Sequence, residues 1–121
     1  AMLKENHLAW AGGVEAALAA VRAQAPWPAP VIVEAETEAE AEAAVRAGAD
    51  GVLLDEFLPG ALLELVPQLR ALAQGRRLVL EASGVHPDQL RAYAATGIDL
   101  ISTSAPITRS GWLDLSMRFD P

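Results

Sequence analysis

Two carboxylates, Glu34 and Asp55, each interrupt or end a run of aliphatic residues: Val31-Ile32-Val33 before the first and Gly51-Val52-Leu53-Leu54 before the second. A charged group beside so much buried surface needs a partner. One reading is that each acid caps the helix that follows or pairs with a nearby cation. The other is that two acids on neighbouring strands point into one mouth, where they would grip hydroxyls or a metal-bound phosphate. Polar residues recur at the ends of two further apolar runs, Glu81 to Ser83 and Ser102 to Ser104. Ser83-Gly84 and Ser102-Thr103-Ser104-Ala105 are small-residue loops whose backbone amides could cradle a phosphate, although either alone is an ordinary turn.

Positioning these groups requires strands that alternate with helices. Val14, Leu18 and Val21 recur at helical spacing and predict a helix that ends before Pro26, after a loop containing Lys4 to His7. Val31 to Glu36 reads as a strand. Thr37 and Glu40 have capping-box spacing and start a helix that runs to Ala47, with Gly48 at its C-terminal cap. The same grammar predicts a strand at Gly51 to Asp55, a helix at Ala61 to Ala73 that Pro67 kinks or shortens, and a strand at Leu78 to Ala82. A helix at Pro87 to Ala95 and a strand at Leu100 to Ser104 complete the series. Gly48-Ala49-Asp50-Gly51-Val52 and Gly97-Ile98-Asp99-Leu100-Ile101 both pass from a helix cap through an aspartate into an apolar strand, as successive βα units do. Almost unbroken apolar strands imply a parallel sheet, and polar groups at the C-terminal strand ends occupy the place where α/β folds carry active sites.

Other residues read as structural. His7 and His86 are too separated in context to suggest a metal pair, and His86 precedes a proline at a helix start. Trp10, Trp27 and Trp112 follow no stacking pattern and are expected to pack or to lie at an interface. The alternating glutamates from Glu34 to Glu42 are mainly a solvated helix start, where negative charge is favoured.

Composition narrows the function. A formal charge of −7 opposes binding to nucleic acid, and the absence of cysteine excludes disulfides and thiolate metal sites. No apolar run approaches the roughly 18 residues of a membrane span, and Ala1 to Lys4 has no secretory pattern, so a cytoplasmic location is expected. At 121 residues the chain is short against the about 250 of a complete eight-unit barrel. Periodicity and spacing therefore reach a ligand-binding α/β half-barrel.

Particular strings go further. Leu3-Lys4-Glu5-Asn6-His7, Val33-Glu34-Ala35-Glu36, Leu53-Leu54-Asp55, Leu80-Glu81-Ala82-Ser83-Gly84 and Ile101-Ser102-Thr103-Ser104-Ala105, followed by Leu113-Asp114-Leu115-Ser116, together resemble quinolinate phosphoribosyltransferase, also called nicotinate-nucleotide pyrophosphorylase. The resemblance implies that residues 1–121 are the C-terminal portion of a TIM-like α/β-barrel domain, with an N-terminal domain and early barrel strands absent. It implies formation of nicotinate mononucleotide, carbon dioxide and pyrophosphate from quinolinate and phosphoribosyl pyrophosphate, with Mg2+, in de novo NAD synthesis. By the same resemblance, Lys4 contacts the anionic donor, and Glu34 and Asp55 hold its ribose hydroxyls and associated magnesium, these three being the catalytic set. Ser83, Gly84, Ser104 and Ala105 bind the 5'-phosphate, and Arg109 supplies a cation.

The sequence departs from the family pattern at Ile32, where another glutamate is common, and at Glu56, where an asparagine usually follows the aspartate. Val85 and Ser104 stand where glycines are usual, and Arg109 where histidine is usual. Lys4 and Arg109 are the obvious cations near the expected mouth, too little charge for two polyanionic substrates. The isolated chain is therefore expected to be inactive and to associate with itself or with the missing segment. A relative acting on another base, or a non-catalytic oligomerisation module, are the competing functions.

Overall fold

A computed structural model describes residues 1–119. The elements run β1 (Met2–Leu3), α1 (Glu5–Ala11), α2 (Val14–Gln24), β2 (Ile32–Ala35), α3 (Glu38–Arg46), β3 (Gly51–Asp55) and α4 (Pro59–Leu72). They continue through β4 (Val79–Ser83), a 3-10 turn (Pro87–Gln89), α5 (Leu90–Ala94), β5 (Leu100–Ile101) and α6 (Ala105–Thr108). The strands form one sheet in the order β1-β2-β3-β4-β5, every pair parallel. Sequential order with right-handed crossovers places the connecting helices on one face, the arrangement of consecutive βα units in a barrel wall.

Register separates the two faces. Val33 pairs with Val52 and Val52 with Leu80, while Ala35 pairs with Leu54 and Leu54 with Ala82. All six side chains join one buried cluster with Ala41, Ala44 and Val45 of α3 and Leu62, Leu65, Val66 and Leu69 of α4. Burying a leucine of that kind contributes about 1.5–3 kcal/mol. The alternate positions, Ile32, Glu34, Leu53, Asp55, Val79, Glu81, Ser83 and Leu100, share the opposite face. That face is the more open of the two among the described residues: Leu53 at its centre is buried, but Leu100 is half exposed.

The repeated aspartates have one job in both places. Asp50 Oδ2 accepts from the Val31 amide at 2.8 Å, and Arg22 donates to the same carboxylate at 3.2 Å and to the Gly48 carbonyl at 2.5 Å. Two units later, ahead of β5, Asp99 accepts from the Leu80 amide at 2.8 Å, while Arg70 donates to Asp99 at 2.9 Å and to the Gly97 carbonyl at 2.8 Å. Each set ties a helix cap to a strand at the N-terminal end of the sheet, where conserved geometry in such folds serves stability.

Thr37 and Glu40 form the expected capping box. Several other elements differ from expectation. Residues after Lys4 form a helix rather than a loop: the Lys4 amide donates to His7 Nδ1 at 3.0 Å, and Gly12 closes the helix in a left-handed conformation. α4 is continuous through Pro67, because that residue lies on the exposed side, where water satisfies the carbonyl left unpaired. The helix expected from Pro87 is divided between the 3-10 turn and α5, and β5 stops at Ile101 rather than Ser104. Trp10 and Trp27 are 93% exposed and Trp112 is fully exposed, so none packs into this chain's core. Among the described residues no helix is long and apolar enough to cross a membrane.

Candidate functional site

Lys4 immediately follows β1, Glu34 lies within β2, and Asp55 and Ser83 close β3 and β4. Because Leu3 pairs with Val33, the next residue, Lys4, comes level with Glu34. Its ammonium donates to Oε1 at 2.8 Å and lies 2.8 Å from Oε2, so it straddles the carboxylate. Glu34 is only 10% exposed at its side chain and Lys4 half exposed, so the charge pair is anchored in the sheet and open at the cation. The bond to Glu34 raises the Lys4 pKa above its ordinary value; partial burial opposes this, and the charges of Glu34, Glu5 and Asp55 add to it.

Asp55 and Ser83 are partners in the sheet register, two pairs above the level of Leu53 and Glu81 and on the same face. Asp55 borders a recess of about 430 Å³ with Glu36, Glu56 and Phe57. Glu56 has φ of 56°, in the left-handed region that asparagine and glycine tolerate better than glutamate.

A separate recess of about 560 Å³ opens between the loops that follow β4 and β5. Ser83, Gly84, Ser104, Ala105 and Arg109 all line it. Gly84 has φ of 73°, which favours glycine, and a Cβ there would press on Glu56 Cγ at 3.2 Å. Val85 is instead buried, and Ser104 has φ of −84°, so neither conformation demands glycine. Arg109 contacts His86 Nε2. His86 Nδ1 in turn accepts from the Asp88 amide at 3.3 Å and lies 3.3 Å from the Asp88 carboxylate.

The structure thus gathers the expected residues into two groups. Lys4, Glu34 and Asp55 belong to the ends of β1 to β3, and the five loop residues line the recess beyond β4 and β5. The Asp55–Ser83 register pair joins them. Glu81, read from sequence only as one polar residue of a strand end, is a further member: it shares the open face and accepts a short hydrogen bond from Ser102. Its place within an otherwise apolar strand was the available signal. A larger recess of about 660 Å³, lined by Arg22, Trp27, Asp50 and Arg77 among others, lies at the opposite end of the strands, with the Asp50 tie. Among the described residues no group of three or more His, Cys, Asp or Glu is placed to hold a metal ion.

The sequence model of the family described as quinolinate phosphoribosyl transferase, C-terminal domain, matches residues 1–118. The chain belongs to that family. It is 39% identical over 119 residues to a probable nicotinate-nucleotide pyrophosphorylase [carboxylating] of Synechocystis, covering 97% of this chain and 39% of that protein. The human nicotinate-nucleotide pyrophosphorylase [carboxylating] is also 39% identical, over 118 residues, with the same two coverages. Among solved structures, NadC from Streptococcus pyogenes is 38% identical with a TM-score of 0.70, over 98% of this chain and 40% of that one. The nicotinate-nucleotide pyrophosphorylase from Francisella tularensis is 32% identical with a TM-score of 0.73, over 86% and 35%. The chain therefore spans about two fifths of the length of the curated relatives it matches. Its parallel βα units form an α/β fold consistent with the C-terminal part of a TIM-like barrel.

Proposed function

We propose that this chain supplies the phosphoribosyl-binding side of a quinolinate phosphoribosyltransferase, which forms nicotinate mononucleotide, carbon dioxide and pyrophosphate from quinolinate and phosphoribosyl pyrophosphate. The observation that carries this reading is that Lys4, Glu34, Asp55 and Ser83 all stand at the C-terminal ends of parallel strands, beside a recess lined by Gly84, Ser104, Ala105 and Arg109.

The residue types suit each part of the donor. Ser83 and Ser104 hydroxyls, the loop amides and the Arg109 guanidinium bind the 5'-phosphate. Glu34 and Asp55 accept hydrogen bonds from ribose hydroxyls. Transfer of a ribosyl group passes through an oxocarbenium-like state, whose developing positive charge the same carboxylates stabilise. Lys4, held on Glu34 with its ammonium half exposed, faces the departing anion.

Two carboxylates without a third protein ligand fit a magnesium ion that arrives on the donor's pyrophosphate oxygens, since Mg2+ takes hard oxygen ligands and is commonly held by one or two carboxylates plus substrate phosphates. Bound there, it would neutralise charge on the leaving pyrophosphate.

The pyridine dicarboxylate needs cations beyond Lys4 and Arg109, and the same reading assigns them to the polypeptide that completes the enzyme. That polypeptide would also cover the open sheet face, which in its absence drives self-association. Calorimetric titration with phosphoribosyl pyrophosphate and magnesium should give saturable binding, with no turnover when quinolinate is added. Absence of binding would favour a non-catalytic module, and turnover by the chain alone would refute the division of the site.

A further inference from the structure

Glu81 lies two register pairs deeper in the sheet than Ser83, on the same face, and is half-buried. Its Oε1 accepts a short hydrogen bond from Ser102 Oγ, the first residue beyond β5. β5 itself contributes only two paired residues, Leu100 with Glu81 and Ile101 with Ala82. Beyond them the strand is tied to β4 by the Ser102 amide, which donates to the Ala82 carbonyl at 2.8 Å, and by the Glu81 side chain. Ser102 opens the loop whose Thr103, Ser104 and Ala105 line the 560 Å³ recess, within which Thr103 Oγ1 accepts from the Ala105 amide at 3.3 Å. So short a strand leaves the backbone ladder few bonds with which to aim that loop.

We infer that Glu81 is a positioning residue for the phosphate recess, acting through Ser102 to fix the loop at residues 102–105. The inference rests on the recess being a phosphate site. It assigns Glu81 a role different from that of Glu34 and Asp55: the hydrogen bond to Ser102 matters, whereas the negative charge does not. Glutamine retains an acceptor oxygen at the same reach, so it keeps the bond and removes the charge. Alanine removes both.

The test uses the 121-residue chain with ribose 5-phosphate as probe, affinity read by calorimetry and the loop by amide chemical shifts at residues 102–105. Glu81→Ala and Ser102→Ala should each weaken binding by up to about tenfold, the loss expected when one side-chain hydrogen bond is removed. The double variant should lose no more than either single, and Glu81→Gln should remain within about twofold of the parent. Loop amide shifts should move in the alanine variants and return in Glu81→Gln. If Glu81→Ala does not fold, Ser102→Ala, which removes only one hydroxyl, decides the matter. Unchanged affinity in Ser102→Ala overturns the inference while leaving the phosphate site intact. A loss in Glu81→Gln as large as in Glu81→Ala also overturns it, since charge would then be acting directly. Failure of the parent chain to bind ribose 5-phosphate removes the phosphate site and the inference together.

Discussion

Lys4 and Glu34 are thirty positions apart in sequence, yet the lysine ammonium sits 2.8 Å from the glutamate carboxylate because β1 and β2 are paired in parallel. The bond holds the Lys4 pKa above its ordinary value of 10.5. For a cation whose folded pKa is raised, the associated stability is fully present below the ordinary value and disappears as pH rises through the folded one. The lysine should therefore keep its charge across the neutral range, and on the alkaline side its contribution should fade above pH 10.5. Titrating the Lys4 side chain by NMR should give a midpoint above that of free lysine, and Glu34→Gln should bring it down. A midpoint unchanged by Glu34→Gln would show that the pair does not persist in solution.

The Asp50 and Asp99 ties predict a structural effect without a ligand effect. Each carboxylate accepts a strand amide and an arginine, so Asp50→Ala or Asp99→Ala should destabilise the fold by about 1–3 kcal/mol. Arg22→Ala and Arg70→Ala, which remove partly exposed partners, should lose less, about 1 kcal/mol or under. Urea unfolding of the four variants would rank them, and ribose 5-phosphate affinity should stay near that of the parent.

Glu56 and Gly84 meet where the turns after β3 and β4 approach each other, with the Glu56 amide 3.4 Å from the Ser83 carbonyl. Glu56→Asn should stabilise the chain by about 0.5–1 kcal/mol, because asparagine tolerates the left-handed conformation better. Gly84→Ala should destabilise it by about 1 kcal/mol or more, through both its positive φ and the contact with Glu56. Opposite shifts in melting temperature are expected, and equal signs would contradict the turn geometry.

Arg109 is the cation lining the loop recess. Arg109→Ala should reduce ribose 5-phosphate affinity about tenfold, with part of the loss restored by lysine. The effect should shrink as salt is raised, since an open recess screens charge. Salt-independent affinity in the parent would place the phosphate elsewhere.

Much of the architecture is legible in local patterns. Thr37 and Glu40 announce the start of α3 by chemistry confined to four residues, and the two Gly-x-Asp strings mark entries into strands because the same tie is built twice, although they read as successive units and the structure sets β4 between them. α1 was missed because its polar start, Lys4 to His7, looks like a loop until the Lys4 amide finds the His7 ring. Of the two places expected for the tryptophans, packing or an interface, their exposure removes packing within this chain.

The residue types themselves determined that apolar strands end in carboxylates and small polar loops, since alternation, caps and turns depend on neighbours along the chain. Only the tertiary structure decided which groups meet. Lys4 straddles Glu34, Asp55 stands beside Ser83, and Glu81 holds Ser102, all across strand pairs whose register is set by the packing of Val33, Leu54 and Leu80 under the helices. A slip of one residue in that register would turn each of these groups to the other face, so the site depends on a core that local sequence patterns do not specify.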